Sequence, residues 1–221
     1  MQACSIPRTV RATAWALWAA VLLTGCSALQ TPVRPVVYDF GPGATTLVPA
    51  NRMAPLAPLV LSEVGASPVL DGNALLYRLA YADAQQLRPY AQARWSMPPA
   101  QLLRQRVREQ LGAHRQVLAP GELASGAPTT LVLRLELEEF SQVFDSPATS
   151  QGLVRMRATV GQTGASGAIR TLAQQSFVIQ VSAPTADAAG GAKALAQASD
   201  ALIAQLATWL QQSQATPKTS P

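Results

Sequence analysis

Between Thr130 and Phe140 the chain alternates with period two. Leu131, Leu133, Leu135 and Leu137 take one phase, and Val132, Arg134, Glu136 and Glu138 take the other. Only extended backbone sends successive side chains to opposite faces, so this segment reads as a strand with one buried and one wet face. The period returns in Leu153 to Val160, where Val154, Met156, Ala158 and Val160 alternate with Arg155, Arg157 and Thr159. A third strand carries Phe177, Ile179 and Val181 in one phase. Ser/Thr/Gly-rich stretches at Ser146 to Gly152 and Gly161 to Gly167 separate the three, as hairpin loops do. Glutamates of the first strand are placed to oppose arginines of the second, a mildly favourable cross-strand arrangement. Three one-sided strands in succession need an apolar cover.

Two amphipathic helices can supply it. Pro98-Pro99 opens the first, at positions where a missing N–H has no intrahelical partner to lose. Leu103, Val107 and Leu111 then follow at i+4 steps, with Leu102 beside them and Gly112 as a plausible stop. The second spans about Ala188 to Gln212, with Leu195, Ala198, Leu202, Leu206 and Trp209 on one stripe, widened by Ile203 and Leu210.

The N-terminal half is less regular. Val36 to Phe40 is a short strand closed by Gly41-Pro42-Gly43, and Thr45 to Pro58, with three prolines, reads as a loop. Leu59 to Val64 and Ala74 to Tyr81 read as strands separated by a turn at Pro68 to Asn73, and Gln86 to Trp95 as a further short strand. The order ββ(β)-α-βββ-α predicts a two-layer α+β domain, a mostly antiparallel sheet covered by two helices. With 221 residues, 48% hydrophobic, the chain has material for one domain, placed at residues 36–212, with a disordered tail at 213–221.

The first 26 residues read as an address. Arg8 and Arg11 form a basic region before the ten-residue apolar run Ala14 to Leu23. That run is too short for a transmembrane helix, which needs about 20 residues, and suits a signal peptide. Leu23-Thr24-Gly25-Cys26 follows, and resembles the lipobox of bacterial lipoproteins. The resemblance implies cleavage after residue 25 and diacylglycerol attachment and N-acylation at Cys26. Residues 26–35 are then a lipidated tether, and Ser27 after the cysteine implies sorting to the periplasmic face of the outer membrane. Two or more acyl chains anchor stably where one does not. Cys4 is lost with the signal peptide.

With both cysteines, Cys4 and Cys26, in that segment, the folded part has no disulfide and no thiolate metal site. A single histidine, His114, excludes multi-histidine metal centres. Without Arg8 and Arg11, 15 basic residues face 12 acidic ones, too mild a surplus to point to nucleic acid. The phosphate-binding G-x-x-x-x-G-K, G-x-S-x-G and H-E-x-x-H patterns are absent. Ser166 lies in a hairpin-like loop rather than on a nucleophile elbow, and His114 follows a helix end, where histidines cap carbonyls or face solvent. Glu136, Glu138 and Glu139 cluster, and Glu136 and Glu138, on one strand face, could form an acid/base pair, but they fit a solvated sheet face opposite the arginines better. Arg104, Arg106 and Arg108 read as a solvated helix face, with contact to anionic lipid headgroups as the alternative. No catalytic residue, metal or cofactor is expected.

One stretch is more specific than its composition. Val69-Leu70-Asp71, Leu76-Tyr77-Arg78, Leu87-Arg88-Pro89-Tyr90, Arg94-Trp95, Pro98-Pro99 and Leu102-Leu103 follow one another, with Tyr38-Asp39-Phe40-Gly41-Pro42 upstream. Together with the lipobox, this resembles the ABC-type transport auxiliary lipoproteins over roughly residues 36–211. The resemblance implies a non-enzymatic component at the outer membrane. It would work with an MCE-domain protein and an inner-membrane ABC permease and ATPase, moving phospholipid or another hydrophobic cargo between membranes. A ring-forming partner could impose homo-oligomeric symmetry. An outer-membrane assembly lipoprotein, serving lipopolysaccharide or β-barrel insertion, is the alternative. Tyr90, Arg94 and Trp95 suit a partner interface, and equally suit rings packed beneath the following helix.

Overall fold

A computed structural model describes residues 34–43, 56–122, 130–164 and 167–215. Eight strands form one mixed sheet: β1 (Val36–Tyr38), β2 (Leu56–Ala66), β3 (Ala74–Leu79), β4 (Asp83–Trp95), β5 (Arg115–Leu118), β6 (Leu131–Phe144), β7 (Ser150–Thr163) and β8 (Ile169–Ser182). Among the described residues two helices, α1 (Pro99–Gly112) and α2 (Ala188–Ala215), lie on it. The α+β class is as the sequence predicts. The long β6–β7 and β7–β8 ladders are antiparallel, whereas β1–β4, β2–β5, β2–β6 and β3–β6 pair in parallel.

The organising strand is β6. Its one edge pairs with β7 along its full length. Its other edge is shared: β2 pairs with its first half (Leu59↔Leu131 to Ala66↔Leu137) and β3 with its end (Tyr77↔Gln142 to Leu79↔Phe144). A short 3-10 turn at Pro68–Leu70 bridges the two. From β2 the sheet continues to β5, and from β3 to β4 and β1.

Bulges set which residues face the helices. An extra residue at Glu138 shifts β6 against β7, so that Leu133, Leu135 and Leu137 point inward before it and Phe140 and Phe144 after it. A second bulge in β2 moves the inward phase from Leu59 and Leu61 to Val64 and Ala66. A single period runs through each segment of the sequence, so these shifts are visible only in the paired strands. Pro58 sits inside β2 at an irregularity against β5, where its missing N–H is tolerated, so the strand starts earlier than the expected loop end. The four-residue β5 was not expected; it is too short to show a period. Gly112 is the last residue of α1 but has no positive φ, and Ala113 closes the helix in the ordinary right-handed region.

One core runs under both helices. Leu102, Leu103, Val107 and Leu111 of α1 and Leu195, Ala198, Leu202, Ile203, Leu206 and Leu210 of α2 are buried against Leu133, Leu137, Val154, Met156 and Phe177. The start of α2 comes close to the sheet because small residues face each other. A Cβ on Gly152 would stand 2.7 Å from backbone atoms of Ala194 and Leu195, and one on Gly191 would collide with the Gln142 side chain. Asp187 holds the helix end: its Oδ1 accepts the Gly190 N–H at 2.8 Å and the Thr185 hydroxyl at 2.8 Å. These bonds hold its carboxyl below the ordinary range. The helix reaches Ala215, three residues into the expected tail; residues 216–221 lie outside the described residues.

Candidate functional site

The structure separates Tyr90, Arg94 and Trp95. Irregular pairing of β4 with β3 between Pro89 and Arg94 turns the strand so that the three do not form one surface. Trp95 is fully buried. Its ring packs edge-on against Phe40 (5.7 Å between centroids) and Phe140 (5.5 Å), which also stack on each other at 6.0 Å. It therefore presents no surface to a partner in this fold, because three segments converge on it. Its indole N–H is buried and has no hydrogen-bond partner among the described residues. Tyr90 is half-buried: its ring lies 4.6 Å from Tyr77, and its hydroxyl donates to Gln142 Oε1 at 2.8 Å. Gln142 in turn donates to Ser150 Oγ at 2.7 Å. Burial, and then the neighbouring Tyr77 and Asp187, push the Tyr90 phenol up to about 12. Only Arg94 is exposed.

The three arginines of α1 also part company. Arg108 is exposed and Arg104 pairs with Glu63 of β2 at 2.9 Å. Arg106 is 6% exposed, a correction to the solvated face that the sequence suggested. The helix is covered there by the chain after β1 and by α2. The Arg106 guanidinium donates to the Phe40 carbonyl, lies 3.4 Å from Glu109 Oε2 and pairs through Nε with Asp200 Oδ1 at 3.1 Å. That last contact is a close ion pair without good hydrogen-bond alignment. Burial raises the Asp200 carboxyl; Arg106 pulls it back down and Glu109 pushes it up again. One arginine thus ties the entry segment, α1 and α2 together.

Beside this knot lies an open pocket of about 270 Å³, lined by Asp39, Ser96, Met97, Gln105, Arg106 and Glu109 among others. Its arginine is already engaged by two carboxylates and a carbonyl, so it offers no free cation to an anion. A second, shallower pocket of about 340 Å³ lies between Phe177 of β8 and Trp209 of α2, whose rings meet edge-on at 5.9 Å.

The entry segment itself is well fixed. β1 pairs in parallel with the end of β4, Val36↔Ala93 to Tyr38↔Trp95. The Ser96 N–H donates to the Tyr38 carbonyl at 2.7 Å, and Phe40 is buried in the aromatic cluster. Phe140 was not singled out from sequence; the signal that could have found it is an aromatic residue breaking the Leu131 to Leu137 period.

The charged candidates are engaged with each other. Arg157 pairs with both Glu136 (3.7 Å) and Glu138 across the β6–β7 ladder, on the exposed sheet face, as the cross-strand expectation had it. Glu139 pairs with Arg78 at 2.9 Å and accepts the Ser141 hydroxyl at 2.7 Å. Neither Glu136 nor Glu138 lines either of these two pockets. His114 is exposed in the turn between α1 and β5, and Ser166 lies outside the described residues, as do Cys4 and Cys26. Among the described residues no His/Cys/Asp/Glu cluster could hold a metal, and no helix is long and apolar enough to cross a membrane.

A search of curated protein sequences finds no match. Among solved structures, a Xanthomonas campestris protein of the family DUF330 superposes with a TM-score of 0.64 at 16% identity, covering 81% of this chain and 96% of that one. The crystal structure of an uncharacterized protein superposes with a TM-score of 0.58, again at 16% identity, covering 80% and 99%. At that identity both establish the fold alone. The family model for the ABC-type transport auxiliary lipoprotein component matches residues 38–207, from the end of β1 into the last turns of α2. The chain belongs to the ABC-type transport auxiliary lipoprotein family.

Proposed function

We propose that the mature protein is held by acylated Cys26 at the periplasmic face of the outer membrane. There it serves, without catalysis of its own, an MCE/ABC-type system that moves lipid between the membranes. The observation that carries this reading is the order of parts. A lipobox ending in Cys26 precedes a short tether, and the tether enters a domain that matches the transport auxiliary family from residue 38. The surface chemistry fits: among the described residues the acidic candidates are used in ion pairs rather than aimed into a pocket. ATP hydrolysis would belong to the partner, since this chain has no P-loop. Tyr90 and Arg94 remain candidates for the partner surface, with Trp95 acting from beneath by fixing the end of β4.

The test is affinity capture from mildly solubilised envelopes, with mass spectrometry of the co-purifying proteins and of the mature N-terminal peptide. The expected result is an MCE-domain protein and ABC components together with a triacylated Cys26. Capture of a β-barrel or lipopolysaccharide-assembly protein instead would replace the transport reading with the assembly one. An unmodified N-terminus would remove the anchor.

A further inference from the structure

We propose that the free edge of β8 is a docking site for an extended segment of another protein, which adds to the sheet as a further strand beside α2. This surface lies on the opposite flank of β6 from Tyr90 and Arg94 and does not depend on the transport reading. β8 is 14 residues long and, among the described residues, pairs only with β7. The Ala183 N–H donates to the Ser150 carbonyl at 2.9 Å, on the same register that runs from Gln151↔Ser182 to Val160↔Ala173. In an antiparallel ladder the residues that bond the neighbour alternate with residues that turn away from it. Odd-numbered residues of this stretch therefore bond β7, and Gln174, Ser176, Val178, Gln180 and Ser182 each turn one N–H and one C=O to the open side. Such a row is a template for a strand, and proteins close it with short length, proline, charge or bulges. The other edges are closed in that way. β1 and β5 have three and four residues, the open stretch of β4 carries Arg88 and Pro89, and β2 beyond β5 is bulged and carries Glu63. From Thr171 to Ser182, β8 has no charge, no proline and, after Ala173, no register shift.

The groove beside the edge selects the occupant. On the α2 side, Gln175 and Phe177 of β8 face Ala204, Gln205, Thr208 and Trp209 across the pocket of about 340 Å³. Gln175 shares the inward phase of Phe177 yet is exposed, so α2 does not cover β8 there. A strand laid on the edge would point every second side chain into this groove. In that mode backbone bonds give affinity and a pocket gives specificity. Neither wall carries a charge, since α2 has none from Ala201 to Ala215. A charged side chain seated there would lose water without gaining a partner. The docking segment is therefore uncharged where it pairs, with an apolar residue at the Phe177–Trp209 pocket. An acyl chain offers the edge neither donors nor acceptors. A second copy of this chain is a poorer occupant, because its β8 has no uncommitted apolar side chain on the inward face: Phe177, Ile179 and Val181 pack in its own core, and Gln175 is polar.

The experiment uses the full-length protein in the envelopes of its own host. A photo-crosslinking phenylalanine derivative replaces Gln175 in the groove or, as a control, Val36, which is 54% exposed on the opposite flank. Cross-linked peptides are sequenced by mass spectrometry. Each form is combined with Val178→Pro, which removes one open-side N–H and leaves the β7 ladder intact, or with Val178→Thr, which keeps that N–H. Val178 is 53% exposed on the solvent face, so neither change touches the core, and the urea midpoint of each variant is compared with the parent. Ser176→Pro repeats the test at the neighbouring open N–H should Val178→Pro lower that midpoint. The expected result is cross-linking from position 175 to one uncharged, extended segment of a partner protein. Proline should reduce it about five-fold or more, as loss of one backbone hydrogen bond predicts, and threonine should leave it unchanged. No cross-link at position 175, equal capture of the same segment from position 36, or a yield insensitive to proline overturns strand addition. A cross-link to β8 of another copy overturns it in favour of self-association, and one to lipid in favour of a lipid surface. Which protein co-purifies decides the transport reading separately.

Discussion

The two flanks of β6 hold the same core by different means. On one side β7 and β8 follow as hairpins, each strand pairing with its sequence neighbour along its whole length, and α2 closes over them. On the other side five shorter strands are collected from distant parts of the chain, mostly in parallel, with irregular registers in β2–β6, β2–β5 and β3–β4. Hairpin pairing needs only a tight turn. Parallel pairing must close a long loop first, and its entropy cost has to be met by contacts elsewhere. In the assembled flank those contacts are concentrated in the Phe40–Trp95–Phe140 cluster and the Arg106 knot. In the hairpin flank they are spread along the ladders and the Gly152–α2 approach.

If concentration in a few residues is what holds the assembled flank, Trp95→Ala should be the most damaging change. Loss of a buried ring of this size costs about 3–5 kcal/mol, read as a fall in the urea midpoint with unchanged slope. A loss below ~1 kcal/mol would show that the cluster is not the anchor of that flank.

Arg106→Met comes next. It keeps the stem's volume but leaves the Phe40 carbonyl and Asp200 without their cation. The expected loss is about 2–3 kcal/mol, below that of a fully buried pair because both carboxylates are partly exposed. Hydrogen exchange should show the β1 segment opening before β7 and β8 do. Equal protection in both flanks would break the comparison.

In the hairpin flank, Gly152→Val should push α2 off the sheet and cost roughly 1–3 kcal/mol, again by urea denaturation. Asp187→Ala should cost about 1 kcal/mol through the lost helix cap, and it should also change the acid limb of stability. The Asp187 carboxyl lies below its ordinary 3.8, so its contribution is complete above that value and is lost as pH falls through the lower folded value. The Asp200 carboxyl is shifted the other way. Its ionisation costs stability, and the loss develops as pH rises from 3.8 through the higher folded value. Stability-versus-pH curves of Asp187→Ala and Asp200→Asn should therefore flatten on opposite sides of 3.8.

The smallest effect is expected from Glu136→Gln with Glu138→Gln on the exposed ladder. Surface pairs of this kind contribute little, and the change should stay within ~0.5 kcal/mol. A chain with both changes that still restores envelope function would also remove the acid/base reading of these residues.

What the sequence by itself determined is local. Period two in β6 and β7 and period 3.6 in α1 and α2 name the inward faces, because a side chain's direction follows from backbone geometry within a few residues. Val154, Met156, Ala158 and Val160, and Leu195, Ala198, Leu202, Ile203, Leu206 and Leu210, are fully buried as that geometry requires. The lipobox at Cys26 is legible for the same reason, being contiguous. The tertiary structure alone decided how β2 and β3 share one edge of β6, where Glu138 shifts the phase, that Trp95 finds Phe40 and Phe140, and that Arg106 is buried while Arg104 and Arg108 are not. Each of these joins residues tens of positions apart. No local period encodes such a meeting; it is fixed only when the whole core closes and every buried polar group has to find its partner.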